Sequence, residues 1–336
     1  MHQGPHAGTR HNANKTGQRI MGSFGYFQIT RQCNQCCKIC SNPENDNAVT
    51  LEQGKQFIDS LIADGGFGGV ILTGGEPTLS ENLPDYLTYC AEKKFPSVLI
   101  TNGQRLADPQ YIKLLKGAGL TKVILSLYSA RAKVQSFLTG NPQSLENITQ
   151  AARNIAKIRG VDLSVTITMN RYNADHLSAN IEFIKKNMPH VKHVVFNNLD
   201  TRMNRASENP DTIPMLNDID IELTRSVDLM RQWNMTYRIE RVPLCYMGGY
   251  EHNSTETRRI VKKEQVRILF LDEKDQVDQA QGDVFYSKAE CCNVCYMNDI
   301  CIGLYSMDVH YSSGELFPIF HCEKEEVIEK ILANAP

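Results

Sequence analysis

The stretch GVILTGGEPTLSENLPDYLTYCAEKK, residues 69–94, contains one complete strand-turn-helix unit. It opens on an apolar, β-branched run, is punctuated by Gly-Gly-Glu-Pro, and then repeats apolar positions at helical spacing. The same grammar recurs along the chain. Apolar runs FGYFQIT (24–30), SVLIT (97–101), KVILSL (122–127), DLSVTIT (162–168) and HVVFN (193–197) alternate with the amphipathic segments LEQGKQFIDSLIAD, DPQYIKLLKGAG, SLENITQAARNIAKI and DHLSANIEFIKKN. Thr50, Asp108 and Ser144 are the expected N-caps of three of these helices. Six consecutive βα units require right-handed crossovers, so the strands lie parallel in one sheet with helices outside. The fold class is therefore α/β, barrel-like or doubly wound. Either arrangement gathers its chemistry at the C-terminal ends of the strands.

Composition narrows the function. The chain has 336 residues, 41% of them hydrophobic and 22% charged, with a formal net charge of -2, enough for a large domain plus a small one. No basic block predicts a grip on nucleic acid, and no long apolar run predicts a membrane span or secretion signal. The expected setting is cytoplasmic. The first twenty residues are polar, carry His2, His6 and His11, and show no hydrophobic period, so a disordered tail over 1–20 is expected.

The eleven cysteines argue against a disulfide framework, because the number is odd and no secretion signal precedes them. Cys90 alone reads as a buried helix residue. The others cluster, four of them at Cys33, Cys36, Cys37 and Cys40 just past the first strand. Cys33, Cys37 and Cys40 form C-x3-C-x2-C. A structural zinc site or a closed ferredoxin cluster wants four ligands, whereas three thiolates on a [4Fe-4S] cubane leave one iron open. Cys36 is read as a bystander. GGEP (74–77) and TNG (101–103) fall at the ends of the second and third strands, so all three motifs converge on one site.

CNQCCKIC (33–40), with Ile39 at a hydrophobic position before the last cysteine, together with LTGGEPTL (72–79), resembles the radical S-adenosylmethionine (radical SAM) superfamily. The resemblance implies a partial (β/α)6 TIM-like barrel over 21–235. It further implies a [4Fe-4S] cluster on Cys33, Cys37 and Cys40 whose open iron holds SAM, which is cleaved to methionine and a 5′-deoxyadenosyl radical. By the same analogy Gly74, Gly75, Glu76 and Pro77 meet the methionine amino end of SAM, and Asn102 and Ser126 face its ribose or carboxylate. An external electron donor such as flavodoxin or ferredoxin is implied as well.

Cys292, Cys295, Cys301 and Cys322 give C-x2-C-x5-C and a later cysteine, which resembles the SPASM or Twitch extensions that hold auxiliary [4Fe-4S] clusters. Tyr305 stands where the full SPASM pattern has another cysteine, so one auxiliary cluster on those four residues is expected within a module spanning 236–336. A zinc knuckle is the alternative. Cys291 is an adjacent spare. Cys245 follows the strand YRIERVPLC, and three readings stay open: cluster ligand, hydrogen-atom donor, or remnant of a lost cluster.

The segment 200–216 reads as a long loop, with Arg202 and Arg205 a solvated pair rather than the alternative clamp on a carboxylate or phosphate, and ETRRIVKKE (256–264) as a solvated helical face. The last helix is expected to pack back on the barrel through Val327, Ile328 and Ile331. For the substrate, an oxidative crosslink or thioether in a ribosomally made peptide is favoured by the SPASM-type extension, while the absence of a separate leader-binding domain before Cys33 counts against it. The alternatives are an aminocyclitol or sugar dehydrogenase, and a redox-neutral epimerase using Cys245.

Overall fold

The computed structural model describes residues 23–333, apart from 43, 203, 265–266, 270, 272–276 and 279–284. The expected tail over 1–20 lies outside the described residues. Strands β1 (Ser23–Thr30), β2 (Phe67–Gly74), β3 (Ser97–Thr101), β4 (Lys122–Ser126), β5 (Asp162–Met169), β6 (His193–Asn198) and β7 (Thr236–Glu240) pair parallel, each with its neighbour in sequence. On the free edge of β1 the sheet continues with β8 (Arg267–Leu269), parallel, and β9 (Val277–Asp278), antiparallel to β8. The six expected strands are all present, and the sheet runs further at both edges. Thr236 follows the boundary expected near 235, so the C-terminal part lends strands to the barrel.

Helices α1 (Leu51–Asp64), α2 (Leu83–Glu92), α3 (Pro109–Gly117), α4 (Ala132–Thr139), α5 (Ser144–Ala156), α6 (Leu177–Asn187), α7 (Asn204–Glu208), α8 (Leu216–Gln232), α9 (Thr255–Lys262) and α10 (Lys324–Ala333) complete the framework. Thr50 caps α1 in a capping box with Gln53, and Asp108 caps α3 through the Gln110 backbone N–H. Ser144 is not a cap. It is the first residue of α5, and its buried hydroxyl accepts from the side-chain amides of Gln35 and Gln135.

The period-two alternation of the strands sorts the two faces of the sheet. Leu72, Leu99, Val123 and Leu163 stand opposite one another across β2 to β5, and Leu125, Val165, Val194 and Tyr237 across β4 to β7. These rows are buried against the helices. The inner face is more polar, with Ser126, Thr166, Val195 and Arg238 in one row and Thr168, Asn197 and Glu240 in the next. The sheet curls around that face. Flat, six inter-strand spacings would separate β1 from β7 by about 29 Å, yet the charges of Glu240 and Arg241 both reach the Tyr26 phenol on β1. The result is a half-barrel with a polar lumen.

The region after β6 departs from the expected loop. Residues 204–208 form α7, and Pro210–Thr212 a further turn. Arg202 and Arg205 are not a solvated pair: Arg205 ion-pairs with Glu44, and Arg202 stacks 3.3 Å from the Phe285 ring centroid. Nor is 256–264 a solvated face, since Glu256 and Thr257 are buried and Arg258 pairs with Glu264 at 2.8 Å. Helix α10 buries Val327 and Ile331, with Ile328 half-buried, against α9 and the turn Glu251–Asn253. No helix among the described residues is long and apolar enough to cross a membrane.

Candidate active site

The loop leaving β1 carries the first cysteine cluster and is held from three sides. Cys36 and Lys38 donate their backbone N–H groups to Thr139 and Leu138 at the end of α4, at 3.1 and 2.8 Å. Cys40 accepts from the Ala206 backbone on α7 at 3.1 Å. On the third side, Gly75 and Glu76 donate to Thr30 and Gln32 at 2.7 and 2.8 Å. This last contact explains the two glycines. A Cβ on Gly74 would lie 2.3 Å from Thr30 O, and one on Gly75 would lie 2.3 Å from Arg31 O and 2.5 Å from Gln32 O. Only glycine lets the GGEP turn approach the cysteine loop so closely.

Glu76 is fully buried. Its carboxylate accepts four hydrogen bonds: from the Thr78 backbone at 3.0 Å, the Thr78 and Thr101 hydroxyls at 2.6 Å each, and the Asn102 backbone at 2.7 Å. Burial still holds its pKa above the ordinary carboxylate value. Glu76 thus fastens GGEP to the end of β3, and Asn102 carries the chain of contacts on to the cysteine loop by donating to the Asn34 side chain at 2.7 Å. Pro77 opens the short turn beyond Glu76, and Ser126 lies half-buried at the end of β4, on the inner face.

Cys33 is open to solvent, Cys40 half-buried and Cys37 buried. Burial pushes the Cys37 thiol pKa up, followed by the charges of Cys40 and Cys33, so the three thiols lie within electrostatic reach of one another. A desolvated thiol stays protonated unless positive charge is supplied, which bonding to iron does. Among the described residues no three Cys, His, Asp or Glu side chains close to the spacing of one metal ion. A [4Fe-4S] cubane takes its thiolates at separate irons and accepts a wider set. In this donor set and cradle the residues fit a three-thiolate cluster. Cys36 is exposed and lies beside Gly140 at the end of α4, within electrostatic reach of Cys33.

Sequence reasoning missed Tyr128, whose hydroxyl hydrogen-bonds Cys37. Its position two residues after Ser126, on the same face of an extended segment, was the available signal. A second constellation, Ser129 Oγ at 2.7 Å from His176 Nε2 with Asp175 on the other ring nitrogen, has the connectivity of a hydrolytic triad. Ser129 and His176 are buried while Asp175 is open, the reverse of what attack on a substrate needs. It serves as a latch between the loops after β4 and β5.

In the C-terminal part, β10 (Tyr286–Ser287) and β11 (Leu304–Tyr305) pair antiparallel and frame a pocket lined by Cys245, Cys292, Cys295 and Cys301. Burial pushes the Cys245 thiol up to about 12, with Cys301 and Cys292 contributing. Cys322 lies off this lining and feels Cys295 from one side. Tyr305, in the place of the missing SPASM cysteine, donates to Asp200 at 2.6 Å and accepts from Arg202 Nε. It ties the module to the loop after β6.

Residues 27–184 match the Radical SAM superfamily model. That segment is a radical SAM domain. The chain is 30% identical over 166 residues to the Fe-coproporphyrin III synthase of Methanosarcina barkeri, covering 48% of this chain and 40% of that protein. To the PqqA peptide cyclase of Xanthomonas euvesicatoria it is 29% identical over 154 residues, 45% of this chain and 41% of that one. The chain thus spans less than half the length of these curated relatives. The fold is similar to that of Streptococcus suis SuiB bound to precursor peptide SuiA, with a TM-score of 0.63 and 16% identity over 85% of this radical SAM chain and 72% of that one.

Proposed function

We propose that this radical SAM enzyme oxidises a ribosomally made peptide, forming a crosslink or thioether. Cys33, Cys37 and Cys40 would hold the [4Fe-4S] cluster, with Gly74, Gly75 and Pro77 shaping the SAM cradle and Asn102 and Ser126 facing SAM. Bound there, the cluster supplies the electron that splits SAM into methionine and a 5′-deoxyadenosyl radical, which takes a hydrogen atom from the substrate. Glu76 acts as a positioning residue, because its carboxylate is already saturated by donors of the chain. Residues 236–336 form the cluster-bearing module and lend β7 and β8 to the sheet, and flavodoxin or ferredoxin is the proposed electron source.

The observation that carries the oxidative reading is the shared pocket of Cys245, Cys292, Cys295 and Cys301. Four thiolates close an auxiliary [4Fe-4S] cluster completely, and a closed cluster beside the barrel is suited to accept the electron a substrate radical must lose. On this reading Cys245 replaces Cys322 as the fourth ligand and is not a hydrogen donor. The peptide substrate is supported by likeness to a peptide cyclase and to a fold solved with a precursor peptide. The proximity of Cys322 to Cys295 favours one second reading, in which Cys322 completes the cluster and Cys245 is left as the hydrogen donor of an epimerase. Anaerobic reaction with candidate precursor peptides separates them. A mass loss of two hydrogens supports oxidation, and an unchanged mass with deuterium uptake from solvent overturns it.

A further inference from the structure

The lumen carries charged side chains that neither the cysteine clusters nor the GGEP cradle uses. Glu240 ends β7 at the mouth of the half-barrel, pointing inward in the same row as Asn197 and Thr168. Beside it stands Glu256, in the first turn of α9, only 5% exposed. One Glu256 oxygen, Oε1, accepts from the Arg241 backbone at 3.0 Å and from the Tyr286 hydroxyl at 3.2 Å. The other, Oε2, is buried and has no hydrogen-bond partner among the described residues. Among the described residues Glu240 receives one long contact, 3.5 Å, from the Thr255 hydroxyl.

A buried carboxylate oxygen without a donor is costly, so its occurrence needs an explanation. The nearest guanidinium does not provide one: Arg241 reaches toward Asn197, the Asn198 carbonyl and Asp200. Arg259 contributes charge nearby, but among the described residues no donor bonds Oε2. Two carboxylates side by side repel each other. Arg241 and Arg259 offset part of that repulsion through space, whereas a bound cation would add both a donor for the orphaned oxygen and further positive charge. The wall opposite is the ring of Tyr26 on β1, within electrostatic reach of both glutamates, and Tyr286 borders them. Carboxylates next to aromatic rings suit an alkylammonium group, which carries three donors and a compact positive charge.

We propose that Glu256 and Glu240 bind a protonated amine of the substrate in the lumen, with Glu256 Oε2 as its principal acceptor. This deepens the radical SAM reading and rests on it, since Glu240 stands at the C-terminal end of β7, the same end of the sheet at which the cysteine loop leaves β1 and GGEP leaves β2. A peptide side chain and a ring-borne amine of a small molecule share this chemistry.

The test uses the full-length, anaerobically reconstituted, SAM-loaded holoenzyme and saturation-transfer NMR. The probes are Nα-acetyl-lysine amide and cyclohexylamine, against Nα-acetyl-norleucine amide and cyclohexanol. At least one amine should bind about tenfold or more tightly than its neutral counterpart, and which amine does so tells a peptide side chain from a ring amine. The advantage should be lost in Glu256→Gln and reduced in Glu240→Gln. No preference for either amine in the wild type, or a preference that survives in both variants, overturns the proposal. Should Glu256→Gln fail to fold, the wild-type comparison and Glu240→Gln decide the matter. SAM cleavage by the same wild-type preparation tests the underlying reading separately: cleavage with no amine preference overturns the amine site alone.

Discussion

The Glu76 carboxylate accepts the Asn102 backbone N–H at 2.7 Å, which joins the turn after β2 to the end of β3 inside the protein. Asn102 in turn donates to Asn34, so a single buried glutamate sets the distance between the GGEP turn and the cysteine loop. Glu76→Ala leaves the Thr78 and Thr101 hydroxyls and two backbone N–H groups without acceptors, at a cost on the order of 3 kcal/mol. The expected outcome is a lower melting temperature together with weaker SAM binding, while iron remains bound at Cys33, Cys37 and Cys40. Unchanged SAM affinity by calorimetry contradicts the positioning role.

The glycines make a sharper contrast. A Cβ at Gly75 would lie 2.3 Å from the Arg31 carbonyl oxygen, a backbone atom that cannot step aside, whereas a Cβ at Gly117 meets nothing within 4 Å. Gly75→Ala should reduce both soluble yield and iron content of the first cluster. Gly117→Ala, at the end of α3, should raise stability by up to about 1 kcal/mol and leave iron unchanged. Equal behaviour of the two variants in denaturation and iron assays is the contrary result.

The pocket shared by Cys245, Cys292, Cys295 and Cys301 predicts different outcomes for single substitutions. Cys245→Ala should lower iron in the C-terminal module by at least one atom per chain and alter its electron paramagnetic resonance spectrum. Cys322→Ala should leave both close to wild type. The reverse pattern restores the ligand set expected from spacing, and stoichiometric zinc there removes the auxiliary cluster altogether.

Glu240 gives a pH signature. Burial, then the charge of Glu256, pushes its carboxyl pKa up to about 7. Because the folded pKa lies above that of the unfolded chain, this group contributes stability that is complete below the ordinary carboxylate value and is lost as pH rises through about 7. Melting temperatures measured between pH 5 and 8 should therefore fall more steeply for the wild type than for Glu240→Gln. Parallel profiles contradict the shift.

Much of this was legible because strand and helix periods are local. The six apolar runs, the caps at Thr50 and Asp108, and the gathering of Cys33, GGEP and TNG follow from patterns within a dozen residues and from the geometry of parallel sheets. What escaped depends on contacts across long stretches of chain. Two of the four hydrogen bonds to Glu76 come from Thr101 and Asn102, 25 and 26 residues away, so its saturation cannot be seen from GGEP alone. Cys245 meets Cys292 only after the intervening chain has folded back. Helix α7 has five residues, too few for a hydrophobic period, and α9 hides Glu256 and Thr257 within a run that reads as charged surface.

The central claim is that Cys33, Cys37 and Cys40 hold a cluster that cleaves SAM against the cradle built by Gly74, Gly75 and Glu76. Its most direct test is the yield of 5′-deoxyadenosine from SAM and a strong reductant under anaerobic conditions, for the wild type and for the Cys33→Ala/Cys37→Ala/Cys40→Ala protein. The wild type should form 5′-deoxyadenosine, and the triple variant should form none while keeping the iron of the C-terminal module. Formation of 5′-deoxyadenosine by the triple variant, or its absence from an iron-loaded, SAM-binding wild type, would contradict the account.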